Sequence, residues 1–119
     1  MRKLNLIQKR EILNEVYQIG EKGPGGGYHE YIIVSADTQQ VLEHIEYQKG
    51  PRKDPASTMG VLDQDLLEIV RDRLTAFCEG PLWSVETEMA LQNVELALKW
   101  LNTRIVDRSD RGVLGTMEK

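Results

Sequence analysis

Histidine and cysteine are nearly missing from this chain, which has two of the one and one of the other among 119 residues. The lone thiol, Cys78, excludes an internal disulfide, and His29, His44 and Cys78 do not form a zinc-binding spacing. A hydrophobic run of the roughly 20 residues that a membrane span needs is also lacking. The apolar residues of the N-terminal MRKLNLIQKREIL are interrupted by Gln8, Lys9, Arg10 and Glu11, unlike a secretory signal. There is no basic excess: 15 Lys and Arg against 19 Asp and Glu leave a net charge of −4, which argues against bulk DNA binding. No nucleophile elbow and no His-Glu-x-x-His occurs. The paired carboxylates Asp63/Asp65 and Glu86/Glu88 fall at helix starts, where the helix dipole accounts for them. Cys78, beside Phe77, reads as a small buried side chain, and the histidines as sheet or surface residues. These absences leave a soluble, cytoplasmic, non-enzymatic binder that needs no cofactor and no metal.

What is present divides the chain by periodicity into a β part, residues 1–60, and a helical part, residues 61–119, within one α+β domain. Tyr28-His29-Glu30-Tyr31-Ile32-Ile33-Val34 is dense in aromatic and β-branched residues and predicts a strand. Gln40 to Tyr47 alternates loosely, and Asp37-Thr38-Gln39 has the length and polarity of the turn between them. Ile12 to Ile19 fits a helix or a strand by pattern; the strand is favoured because the next strand needs an antiparallel neighbour. The expectation is an antiparallel sheet of about three strands. Gly23-Pro24-Gly25-Gly26-Gly27 runs into a strand rather than a helix N-terminus, so it reads as a hairpin loop and not a phosphate cradle. Lys49 to Pro55 breaks regular structure twice with proline; its Arg52 and Lys53 are candidates for a second anion site.

The second part predicts a long antiparallel two-helix hairpin. Asp63 is the expected N-cap of the first helix, with Leu67, Val70, Leu74 and Phe77 as its apolar stripe and Gly80 as its stop. Glu79-Gly80-Pro81 makes the corner and Ser84 caps the second helix. Along that helix Ala90, Val94, Ala97, Leu101 and Arg108 line one face, Leu91, Leu98 and Ile105 another, and Leu96 and Trp100 add a third cluster. So much apolar surface exceeds what one partner helix and a small sheet can cover, which predicts a homodimer or higher homo-oligomer.

Arg104, Arg108 and Arg111 are spaced i, i+4, i+7 and share one helix face. On an acidic chain, three aligned guanidinium groups mark a local anion site. Trp100 lies one turn before them, and Leu82 and Trp83 sit at the corner, where a second subunit brings them against the arginine end. An aromatic surface with fixed guanidinium groups suits a purine and its phosphates. Leu82 and Trp83 are thus the candidates for base or ribose contact, Asn93 for a hydrogen bond, and the three arginines for a pyrophosphate.

The run Glu79-Gly80-Pro81-Leu82, Glu86-Thr87, Ala90-Leu91, Glu95, Ala97-Leu98, Trp100-Leu101, Arg104, Asp107-Arg108 and Arg111 to Thr116 resembles the helical-hairpin domain of phage immune-signal sponges. Tyr28 to Tyr31, Gln48 to Pro51, Gly60-Val61 and Asp65 to Leu74 resemble its longer branch, the Thoeris anti-defence family of the first type. The resemblance implies a non-enzymatic protein that captures glycocyclic ADP-ribose between subunits in the infected bacterial cell and does not degrade it. Related hairpin proteins sequester the cyclic oligonucleotides of CBASS defence, which makes cyclic di- and trinucleotides the alternative ligands; a protein–protein adaptor is the alternative outside this class. Many members carry an aromatic directly after the Gly-Pro corner and then a Cys-Arg-Glu-Asn-like segment. Here Leu82 and Trp83 follow the corner and Ser84 to Thr87 replace the polar run, without its arginine.

Overall fold

The sheet contains four strands rather than three. In the computed structural model, which describes residues 1–119, they are β1 (Arg2–Lys3), β2 (Asn14–Ile19), β3 (Glu30–Ser35) and β4 (Val41–Glu46), ordered β1-β2-β3-β4 with every neighbour antiparallel. β1 is the strand that the sequence pattern did not announce: two charged residues carry no alternation to read. It is held as an edge by pairing Arg2 with Gln18 and Lys3 with Tyr17. Ile12 to Ile19 resolves as a strand, starting at Asn14. The glycine-rich segment forms a single 3-10 turn at Pro24–Gly26 between β2 and β3, the connector role expected of it.

Register fixes which residues share a sheet face. Val16, Ile33 and Glu43 stand in one cross-strand row, and Tyr17, Ile32 and His44 in another on the opposite face. A bulge between Ile33 and Val34 shifts the register so that Val34 faces Val41. Val34 is the one buried hydrophobic side chain of the chain, and Gln18 the one buried polar one. Gln18 is satisfied, accepting from Arg2 Nε and donating to the Gly20 carbonyl. On the β1 edge Lys3 pairs with Glu15 at 2.6 Å. Hydrogen bonds from Gln39 and then Lys3 hold the Glu15 carboxyl below its ordinary value of 4.5. A carboxyl depressed on folding adds stability above its unfolded value, and that stability is lost as the pH falls through the lowered folded value.

Beyond β4 the chain folds back through bridges Tyr47 to Val61 and Lys49 to Thr58. Gln48 ties this return: its Oε1 accepts from Arg52 Nε at 2.8 Å and from Gly60 N at 3.2 Å, while its Nε2 donates to Gly50 O. Gly60 has no room for a side chain, since a Cβ there would lie 2.4 Å from Glu46 O and 2.5 Å from Tyr47 C. These are backbone atoms and cannot swing aside. Gly60→Ala should therefore destabilise the first unit by about 3 kcal/mol, read as a lower denaturant midpoint; an unchanged midpoint would show that this return is not packed as described.

Two compact units result, Met1–Val61 and Leu62–Lys119. The second holds α1 (Asp63–Cys78) and α2 (Val85–Asp110), packed on each other as the expected hairpin. Its first cap differs from expectation: Leu62, not Asp63, is the N-cap. Leucine offers no acceptor, so Asp65 reaches back and its carboxylate accepts from Leu62 N at 2.8 Å, half of a capping box. Ser84 caps α2 as expected, accepting from Thr87 N at 3.1 Å, and Glu86 and Glu88 occupy the first turn.

The separate apolar faces read along α2 merge into one. Leu91, Val94, Leu98, Leu101, Ile105 and Arg108 are half-buried and alternate in steps of three and four, the seam of two packed helices. Ala90 and Ala97 lie outside it, exposed. On α1 the half-buried residues are Gln64, Leu66, Leu67, Leu74, Thr75 and Cys78. Val70 and Phe77, expected in the stripe, are about 40% exposed. Arg71 bridges the helices through Glu95 at 3.0 Å, and that hydrogen bond raises its already high pKa. Neither helix contains a fully buried side chain, so a hairpin of 16 and 26 residues is covered on one seam only. No helix is long and apolar enough to cross a membrane.

Candidate functional site

The chemistry expected of the helical unit lies at two separate places on it. At 1.5 Å per residue, α2 is about 39 Å long, with the Leu82-Trp83 corner before its first turn and Arg108 in its last. One small ligand cannot touch both ends of a single chain.

At the corner, Leu82 is 75% exposed and Trp83 51%. Leu82 lines an apolar hollow of about 350 Å³ with Arg73, Ala76, Phe77, Gly80 and Pro81. Arg73 lies over the Phe77 ring, 5.1 Å from its centroid, so a cation and an aromatic face border the same hollow. Trp83 Nε1 donates to Glu88 at 3.0 Å, which orients the indole against the start of α2. The corner follows from sequence: Gly80 and Pro81 end the first helix, and Ser84 begins the next only three residues later.

Along α2, Asn93, Trp100, Arg104 and Arg111 fall within about 40° of one another at 100° per residue, and all four are exposed. Asn93 donates back to Met89 O at 2.8 Å. Arg104 makes no hydrogen bond or ion pair within the chain. Arg111 pairs with Asp107 at 3.1 Å and donates to Lys119 O at 3.1 Å.

Arg108 stands apart, turned toward the seam and half-buried. Its guanidinium gathers the C-terminal tail, donating to Val113 O and Lys119 O at 3.0 Å, to Thr116 O at 3.1 Å and to Glu118 O. Four carbonyl oxygens around one guanidinium form an acceptor cage like the one a pyrophosphate would offer. Arg104, Arg108 and Arg111 thus all lie toward the C-terminal end of α2, but Arg108 turns to the seam and does not share the exposed face of the other two that the spacing predicts, while Leu82 and Trp83 lie at the other end. Arg52 has its Nε and Nη2 committed to Gln48 and Gly60 O, and Lys53 is exposed beside it.

Two contributors were overlooked in the sequence. Arg73 and Phe77, spaced i, i+4, carried a signal for a cation–π pair. The tail carbonyls carried none, because a backbone oxygen has no residue type to read.

No family model matches the chain. Among known proteins it is 35% identical over 95 residues to Thoeris anti-defense 1 of Bacillus phage SBSphiJ7, a segment that makes up 80% of this chain and 66% of the phage protein.

Proposed function

Because the chain belongs to the Thoeris anti-defence 1 family, we propose that it is a phage anti-defence protein that binds the glycocyclic ADP-ribose messenger of Thoeris immunity and holds it away from its effector. The observation that carries this reading is the division of the site. A base-stacking corner and a guanidinium cluster stand at opposite ends of one helix about 39 Å long. Two copies with antiparallel α2 helices set the corner of one against the arginine end of the other, twice over by symmetry. Leu82, Trp83 and the Arg73–Phe77 pair then face the adenine, and Arg104, Arg108 and Arg111 face the pyrophosphate. The exposed apolar residues Leu96 (51%) and Trp100 (68%) supply the surface that such an assembly covers.

Binding without turnover fits the inventory of the helical unit. It contains no histidine, and its cysteine forms no hydrogen bond with a base. A decoy works only if it outcompetes the receptor, which calls for a nanomolar dissociation constant, about −12 kcal/mol. Calorimetric titration with glycocyclic ADP-ribose and, separately, with cyclic di- and trinucleotides tests the reading. Nanomolar binding of the first, at one messenger per chain, is expected. Preference for the cyclic oligonucleotides would make the protein a sponge for a different signal, and no nucleotide binding at all would make it an adaptor.

A further inference from the structure

On the sheet, Glu30 of β3 and Glu46 of β4 are direct cross-strand partners. Like charges placed opposite each other on paired strands repel, and neither carboxylate forms an ion pair with a lysine or arginine. His44, two residues before Glu46 and on the same face, is what lies between them: its Nε2 is 2.6 Å from Glu30 Oε2 and 3.9 Å from Glu46 Oε1. One donor atom from each of the three residues falls within 4.8 Å of the other two. Ligand atoms around a tetrahedral zinc ion, with bonds near 2.0–2.1 Å, are about 3.3 Å apart, so the observed pair distances bracket that value and small side-chain rotations reach it. The three side chains are 36–53% exposed, which leaves them free to rotate and leaves the outer coordination position open to water. Glu30 and Glu46 also border a hollow of about 200 Å³, with room for that water; Lys49 lines it without pairing with either carboxylate.

We infer that Glu30, His44 and Glu46 form a divalent transition-metal site on the sheet. One imidazole nitrogen and two carboxylates are a borderline donor set, suited to zinc and its first-row neighbours, whereas magnesium and calcium take all-oxygen sets. The ion neutralises the facing carboxylates and cross-links β3 to the edge strand β4, and its free position accepts a fourth donor. The site is independent of the nucleotide reading, since all three ligands belong to the Met1–Val61 unit.

The test is titration of the full chain, purified free of metal, with zinc, followed by calorimetry and by the imidazole nitrogen resonances of His44. The expected result is one equivalent bound at micromolar affinity, a shift of His44 Nε2, and a higher melting temperature. His44→Ala and Glu46→Gln should each weaken binding by about a hundredfold or more, since loss of a ligand exceeds the roughly 10–100-fold effect of an outer partner. His29→Ala should retain it. Zinc affinity unchanged in His44→Ala, or no binding below millimolar zinc with the His44 resonances unmoved, would overturn the site.

Discussion

Arg108→Ala should weaken capture of glycocyclic ADP-ribose by about a hundredfold, or ~3 kcal/mol, while the helical hairpin stays folded. Arg108 is the guanidinium with the largest acceptor cage in the free chain: four tail carbonyls surround it. A group that satisfies so many acceptors is set to exchange them for phosphate oxygens, which are charged and hold it more strongly. Arg108→Lys keeps the charge but not the fork, and should recover only a small part of the loss. The same side chain also anchors the tail, so the variant needs a companion. A chain ending at Gly112 lacks the tail acceptors yet keeps Arg108. If Arg108 grips the ligand, this truncation should bind at least as tightly as the whole chain. If the truncation loses affinity as badly as Arg108→Ala, the arginine acts by holding the tail and not by touching phosphate. Circular dichroism on each protein checks that α2 persists.

Trp100→Glu should abolish both assembly and binding. Trp100 is 68% exposed, with Leu96 one turn before it on the same side at 51%. An apolar patch left open on a helix is costly in water and is usually the place where another copy sits. Burying a carboxylate there without a partner is more unfavourable than the patch is favourable. Sedimentation should then report a species of 13.6 kDa at concentrations where the parent protein is oligomeric. Messenger affinity should fall by about two orders of magnitude or more, or at least ~3 kcal/mol, because each half-site loses its complement. A monomeric Trp100→Glu that still binds at nanomolar levels would place the whole site within one chain.

The hairpin was legible because its punctuation is chemical. Gly80-Pro81 and Ser84 mark the corner by conformational limits and a hydroxyl acceptor, and the i, i+4, i+7 spacing brings three arginines to one helix end, though the seam takes Arg108 from the face of the other two. The seam was less legible. Residues seven apart, such as Leu91, Leu98 and Ile105, were grouped without the interleaved Val94 and Leu101, although a step of three and four joins them on one side. Val70 and Phe77 illustrate the converse: apolar spacing marks a stripe but does not say whether the same chain covers it. Leu62 escaped as a cap because capping there comes from the Asp65 side chain three residues on. β1 could not be read at all, since a two-residue edge strand exists only through its partner. The tail cage around Arg108 and the hold of the Gly60 carbonyl on Arg52 depend on backbone oxygens, which every residue has and no sequence pattern reports.

Capture without conversion is checked by weighing the complex and then recovering its ligand. The purified protein is mixed with glycocyclic ADP-ribose, weighed intact by native mass spectrometry, then heated to release the ligand for chromatography. The expected result is an oligomer carrying messenger in fixed proportion to its subunits, and released ligand identical in retention and mass to the input. A cleaved or linearised product would mean that the protein is an enzyme, and an assembly that never takes up the messenger would contradict the sponge reading itself.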